Sequence, residues 1–334
     1  MYTEQALADL VRLRAGRRVE ETRGPSRYDS RFHQWDERAS VRRKPRRVLA
    51  PQDPEALYFP PELLPVVSHP LVQARGPEVV RRLLVQRLYD YLHFTTELEE
   101  IAVIPVATSI SRGRVGLDLP EKMRADAFKI VTDEAWHAQF SYDLIRQVEV
   151  ETGIAWQDGH LPAFVPRLEA IRVRLPEHLR GAEGLLFSVV SETLISSILA
   201  DLPRDRRLPQ AVRELVRDHA EDEGRHHVYF RTVLHHFWPA LGTSAQRVIG
   251  PYLPEILLAF LEPDYRAMAR SLRRVGYSEA ELEQILAESW PTGRVAREAA
   301  EAARSAIKYL AEVGALDDPE TADAFAAAGL VENF

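Results

Sequence analysis

The 334-residue chain is 46% hydrophobic and 28% charged, the composition of an ordinary soluble globular protein with room for a large core. Fifty acidic residues against 43 basic ones give a formal charge of −7, which opposes a broad electrostatic hold on nucleic acid or an anionic membrane. The lack of cysteine excludes disulfides, thiolate metal sites and a cysteine nucleophile, so any metal has to sit on His, Asp or Glu.

The first eighteen residues, MYTEQALADLVRLRAGRR, mix charge with apolar residues and hold no signal-peptide core, which predicts a cytoplasmic protein. Leu7, Leu10 and Val11 form a short amphipathic stretch, followed by the aperiodic segment GPSRYDSRFHQWDERAS, which reads as a wrapping arm. From Pro45 to Pro70 there are seven prolines, which forbid regular helix and predict a strap across a surface. The basic cluster Arg42, Arg43, Lys44, Arg46 and Arg47 stands alone on an acidic chain and reads as a solvated face. These signals divide the chain into an arm and proline-rich strap (1–75), a helical domain (76–318) and a C-terminal tail (319–334).

Beyond residue 75 the hydrophobic period is that of helices, with no run of short alternating strands, so the fold class is all-α. Helices are expected over about 77–104, 120–150, 181–201, 209–237, 251–274 and 278–314. Pro105 closes or kinks the first, while Pro120 and Pro209 fit the starts of the second and fourth. No fixed repeat is present, which predicts a bundle and not a solenoid.

Residues 184–200, GLLFSVVSETLISSILA, carry one charge, Glu192, in the middle. Seventeen residues is the lower edge for a bilayer span, and a central carboxylate is costly there, so a buried bundle helix fits better. A buried carboxylate has to be protonated, paired or metal-bound. Two copies of DExxH answer it: Asp133-Glu134-Ala-Trp-His137 and Asp222-Glu223-Gly-Arg-His226. Three residues turn a helix by about 300°, so Glu and His of each copy share one face. The stripe around Glu134 holds Met123, Ala127, Ile130, Ser141 and Ile145, and that around Glu223 holds Val212, Val216, Phe230 and Leu234. Both motifs therefore face the interior. Asp133 and Asp222 are placed to accept the remaining ring N–H of a ligating His and fix its tautomer.

Dimetal carboxylate bundles combine two Glu-x-x-His helices with one inward Glu from each of two others. Glu192 supplies one, and Glu99, on a stripe with Leu88, Leu92, Thr95, Ala102 and Val103, supplies the other in preference to Glu97 and Glu100. His219, four residues before Glu223, is a seventh candidate donor whose other reading is a hydrogen-bonded core histidine. His227 is within reach of the same face, but the motif spacing favours His226. His69, His235 and His236 have no such setting. Four carboxylates balance two divalent ions, and oxygen with imidazole donors suits iron, or manganese in its place.

With these residues in hand, the chain resembles the p-aminobenzoate N-oxygenase family, whose members include the arylamine oxygenase of chloramphenicol biosynthesis. The likeness lies in the Tyr91 to Glu99 to Pro105 spacing, the TDEAWH block, the SETLISSIL block and HAEDEGRHH, with weaker likeness along most of the chain. The resemblance implies a ferritin-like four-helix bundle with additional helices. It implies two iron ions on Glu99, Glu134, His137, Glu192, His219, Glu223 and His226. Glu134 and Glu223 would bridge, Glu99 and His137 would complete one iron, and Glu192, His219 and His226 the other. The implied activity uses O2 and an external electron donor to take a primary aryl amine through hydroxylamine and nitroso levels to a nitro group, in natural-product biosynthesis. The implied partners are a small amine, a redox partner or reductant, and a second copy of the chain, with no nucleic acid and no membrane.

Thr95, Ser188 and Ser196 lie one turn from donors but read as close-packing residues. Three other readings compete: a di-iron C–H hydroxylase or desaturase, a ferritin-type iron-binding protein, and a bundle held only by buried ion pairs.

Overall fold

The computed structural model describes residues 28–51, 56–156 and 160–331, the side chains of 196–198 excepted. Leu7, Leu10, Val11 and the Ser196 side chain lie outside the described residues. The fold is an all-helical, ferritin-like bundle, and no strand occurs among the described residues. The longer helices are α1 (Pro77–Leu98), α2 (Ile104–Ser111), α3 (Glu121–Thr152), α4 (Phe164–Arg174), α5 (Ala182–Ile198), α6 (Gln210–Ile249), α7 (Leu253–Leu261), α8 (Tyr265–Arg274), α9 (Glu279–Ser289), α10 (Thr292–Glu312) and α11 (Pro319–Ala327). α1 and α2 lie along α3, α5 lies along α6, and α3 meets α6 to close the four-helix core. Among the described residues no helix is long and apolar enough to cross a membrane.

Most boundaries follow local chemistry. Gly153, at φ +66°, takes the left-handed position that ends α3. Ser278 and Glu281 form a reciprocal capping box at the start of α9. The expected helix 251–274 is instead α7 and α8, because Pro263 follows α7 and the Asp264 carboxylate accepts the Ala267 N–H to begin a new helix. The expected helix 278–314 is divided in the same way at Trp290-Pro291. α6 runs past its expected end at 237 to Ile249, with a break at Gly242, whose φ of +72° is not helical. α4, which has no counterpart among the expected helices, presents Phe164, Leu168 and Ile171 to the core from only three turns.

Arg42, Arg43 and Arg46 of the basic cluster are exposed, as a solvated face requires, but the run also pairs with the core helices. Arg47 donates to both oxygens of Asp218 at 2.7 and 3.0 Å and to Glu214 at 2.9 Å on α6, while Arg46 holds Asp143 on α3 with two 2.8 Å bonds. Lys44 reaches Glu221 at 2.7 Å. The acidic stripes flanking the two DExxH motifs attract this run, so residues 44–47 staple α3 to α6. Beyond it, Tyr58, Phe59, Leu64, Val66 and Val67 are buried in the common core.

α11 begins with Asp318 capping Thr321 and packs against the turn Gly250–Tyr252. A Cβ on Gly250 would lie 2.1 Å from Thr321 Oγ1, itself bonded to Asp318 at 3.2 Å. Gly250→Ala is therefore expected to destabilise the protein by about 1–3 kcal/mol through overpacking; an unchanged thermal midpoint would show that α11 does not dock on this turn.

Candidate metal centre

Glu99 is presented by an irregularity in the first core helix. Pro105 has no N–H to donate, and its ring crowds the carbonyl four residues back. The chain widens through a single π turn, Glu99–Val103, closed by the Ile104 N–H on the Glu99 carbonyl, and then continues as α2. Such turns recur at functional sites because they re-aim a side chain without ending the helix. Ser188 Oγ of α5 lies 3.2 Å from the Ala102 carbonyl and 3.0 Å from that of Gly184, so this small residue ties α5 to the π turn.

Glu99, Glu134, His137, Glu192, His219, Glu223 and His226 meet in the interior, each buried. Their donor atoms form two groups able to hold a cation, Glu99, Glu134, His137 and His219, and Glu134, Glu192, Glu223 and His226, with the atoms of each group within 4.8 Å of one another. Glu134 serves both: Oε2 lies 2.7 Å from His137 Nδ1 and Oε1 lies 2.8 Å from His226 Nδ1. Glu223 Oε1 is likewise 3.0 Å from His219 Nε2 and 3.4 Å from both His137 Nδ1 and His226 Nδ1. His219 differs in placement from the implied grouping with Glu192 and His226. Its Nε2 lies 3.8 Å from Glu99, and its ring centre is 4.2 Å from that of His137. The cause is its position on α6, seven residues before His226 and so about two turns nearer the Glu99 end.

The donor set fits metal ions on a structural observation. Both oxygens of Glu99, Glu192 and Glu223, with Glu134 Oε1, His219 Nε2 and His226 Nδ1, are buried without a hydrogen bond. Several of these atoms stand about 3 Å apart with their lone pairs misaligned for hydrogen bonding, an arrangement that leaves them aimed at a shared centre. Burial, reinforced by neighbouring carboxylates, pushes Glu99 and Glu192 well above the usual carboxylate range. Against the same burial, His226 holds Glu223 far down and Glu134 more modestly so. Glu134 and Asp222 in turn overcome burial to push His137 up to about 10. Without a cation, the cluster can neutralise its four carboxylates only by taking up protons.

The aspartates of the two motifs brace each other's histidines. His137 Nε2 lies 3.1 Å from Asp222 Oδ2 and His226 Nε2 lies 3.2 Å from Asp133 Oδ2, so each Asp serves the His of the opposite helix. The rings are thereby fixed with Nδ1 facing the cluster. The N-terminal arm completes this bracing. Trp35 Nε1 donates to both oxygens of Asp133 at 2.9 Å, the Ser40 N–H meets both oxygens of Asp222 at 3.2 Å, and Arg225 pairs with Asp222. Phe32 stacks at 6.0 Å on the His226 ring. The roles of Trp35 and Ser40 could not be read from local pattern, because the arm has no period and their partners lie 98 and 182 residues away, whereas Arg225 sits only three residues from Asp222 within the second motif.

Other histidines are occupied elsewhere: His69 with Glu288 at 2.9 Å, His227 with Tyr309 at 2.9 Å, and His235 near Glu312 at 3.6 Å. His236 belongs to neither donor group. Thr95 and Ile195, each one turn from a donor glutamate, help line a cavity of about 330 Å³ whose walls include Tyr91, Phe94, Phe164 and Phe260.

Two outcomes follow. Glu192→Gln removes the cost of burying this carboxylate or of protonating it, and is expected to stabilise the metal-free protein by about 1–3 kcal/mol while reducing the gain in thermal midpoint on adding Fe(II); a lower metal-free midpoint with the Fe(II) response intact would contradict the cluster. Trp35→Phe leaves Asp133 without its indole partner and should weaken metal binding about 10–100-fold with helix content unchanged. Unaltered affinity in a metal titration would remove the arm from the bracing.

The family model described as p-aminobenzoate N-oxygenase AurF matches residues 37–314, a span containing every donor named above. The 4-aminobenzoate N-oxygenase of Streptomyces thioluteus is 26% identical over 253 residues, covering 74% of this chain and 75% of that protein. The buried carboxylate and imidazole donors and this match over most of the chain lead to one conclusion: the protein belongs to the p-aminobenzoate N-oxygenase family and is an oxygenase enzyme.

Proposed function

We propose that the protein is a di-iron N-oxygenase of primary aryl amines, with Glu99, His137 and His219 on one iron, Glu192 and His226 on the other, and Glu134 and Glu223 between them. The observation that carries this reading is the set of buried donors left without hydrogen bonds, four of them carboxylates, which two divalent cations would neutralise. Iron bound there would supply the activation of O2. In the first step an amine ArNH2, with O2, two electrons and two protons, yields ArNHOH and water; repetition through the nitroso level reaches the nitro group. The electrons come from an external donor, a redox partner or a reductant.

The chain's own residues set the conditions for that chemistry. Asp133 and Asp222 hold the His226 and His137 rings with Nδ1 inward. Phe140, with its ring 5.3 Å from that of His137 and 5.9 Å from that of His219, and Phe32 on His226 exclude water around the donors. The aromatic cavity walls beside Thr95 orient a ring so that its amine reaches the cluster end. A place in natural-product biosynthesis and a homodimeric assembly complete the reading.

Iron-loaded protein, reduced, exposed to O2 in the presence of a panel of aryl amines and followed by mass spectrometry, is expected to give products heavier by oxygen at nitrogen, with 18O incorporated from 18O2. Glu192→Ala should abolish this while leaving helicity intact. Oxygen found only on carbon would favour a hydroxylase, and uptake of many irons per chain without any amine turnover would favour storage.

A further inference from the structure

The cavity beside the cluster carries two opposite charges that, among the described residues, do not pair with each other. It is lined along α1 by Arg87, Asp90, Tyr91 and Thr95, and Arg87, Tyr91, Thr95 and Glu99 follow one another at intervals of four residues, on one stripe of the helix. The Arg87 guanidinium makes no hydrogen bond or ion pair among the described residues; it lies 5.1 Å over the Phe59 ring. Asp90 Oδ2 is buried without a hydrogen-bond partner, and the His160 imidazole approaches the other oxygen only to 4.0 Å. Burial pushes this carboxyl up to about 6 against the pull of Arg87 and Arg270. Of the other polar groups on the wall, the Tyr91 hydroxyl is likewise buried without a hydrogen-bond partner, whereas the acidic and imidazole groups are committed. Asp264 accepts the Ala163 and Ala267 N–H groups at 3.0 and 2.8 Å, Glu262 pairs with Arg167 at 2.5 Å, and His93 meets the His160 carbonyl at 2.7 Å.

Desolvating a guanidinium and a carboxylate one helical turn apart, without pairing them, costs stability unless a ligand supplies both complements. A monoanion would satisfy Arg87 and be repelled by Asp90, and a monocation would do the reverse. We propose that Arg87 and Asp90 form a receptor for a zwitterion, so that the substrate is an aryl amine carrying an α-amino-acid head, its carboxylate on Arg87 and its ammonium on Asp90. The ring then lies between the aromatic walls with its amine directed toward Glu99. From residue 87 to residue 99 the helix rises about 18 Å, a span better filled by a ring with a side chain than by an aminobenzoate. The inference rests on the N-oxygenase reading for the identity of the aryl amine, and on the cavity alone for the head group.

The test is calorimetric titration of the iron-loaded protein under anaerobic conditions with 4-aminophenylalanine, 4-aminobenzoate, 4-(2-aminoethyl)aniline and phenylalanine. The zwitterionic 4-aminophenylalanine is expected to bind at least tenfold more tightly than either singly charged amine, and phenylalanine should retain much of that affinity. Arg87→Gln and Asp90→Asn should each remove the tenfold preference. Equal or tighter binding of 4-aminobenzoate by the unaltered protein would overturn the proposal, as would a preference untouched in either folded variant. The ligand ranking stands as a test even if a variant fails to fold. If 4-aminophenylalanine binds as expected but is not oxidised at nitrogen once reductant and O2 are supplied, the receptor stands and the N-oxygenase reading falls. N-oxidation of another aryl amine with no binding of 4-aminophenylalanine gives the converse.

Discussion

Four carboxylates enclosed in one dry space govern the rest of this structure. Glu99, Glu134, Glu192 and Glu223 are each fully buried, and a buried, unpaired carboxylate costs several kcal/mol even after relaxation. Three imidazoles share the space: neighbouring carboxylates push His137 and His226 up against burial so that they hold protons, whereas burial and His137 push His219 down. The bundle therefore maintains a region that is unfavourable as it stands and favourable once divalent cations enter. Metal binding and conformational stability are then two expressions of one free energy.

That strain explains features remote from the donors. The motif aspartates cross from helix to helix to hold the opposing histidines, and the arm places an indole and a backbone N–H on those aspartates. Arg46 and Arg47 then clamp the same two helices from outside. A ring whose distal nitrogen is fixed in this way presents its other nitrogen in one tautomer and one direction. The arm is in this sense part of the centre, although it supplies none of the seven donors.

Much of the fold and donor set was legible because it depends on short-range periodicity. Helical spacing put Glu134 with His137 and Glu223 with His226, and the apolar stripes around them turned both pairs inward; every stripe residue named is buried. A lone charge in GLLFSVVSETLISSILA was enough to require a partner for Glu192. What could not be read depends on distance in sequence. The reach of Trp35 to Asp133 spans 98 residues, and the exchange of aspartates between motifs appears only when α3 and α6 are side by side. The π turn at Glu99 follows from Pro105 and the packing of α5 together, so the proline alone suggested a kink where the helix in fact widens. Prolines 263 and 291 mark breaks that the hydrophobic period passed over.

The claim on which everything else stands is that the seven donors enclose a pair of cations. Anomalous diffraction at the iron edge from crystals grown with Fe(II) addresses it directly. The account predicts two peaks inside the cluster, one beside Glu99, His137 and His219 and one beside Glu192 and His226, with Glu134 and Glu223 between them. Iron found only at the surface, or a cluster that stays free of iron at full loading, would contradict it.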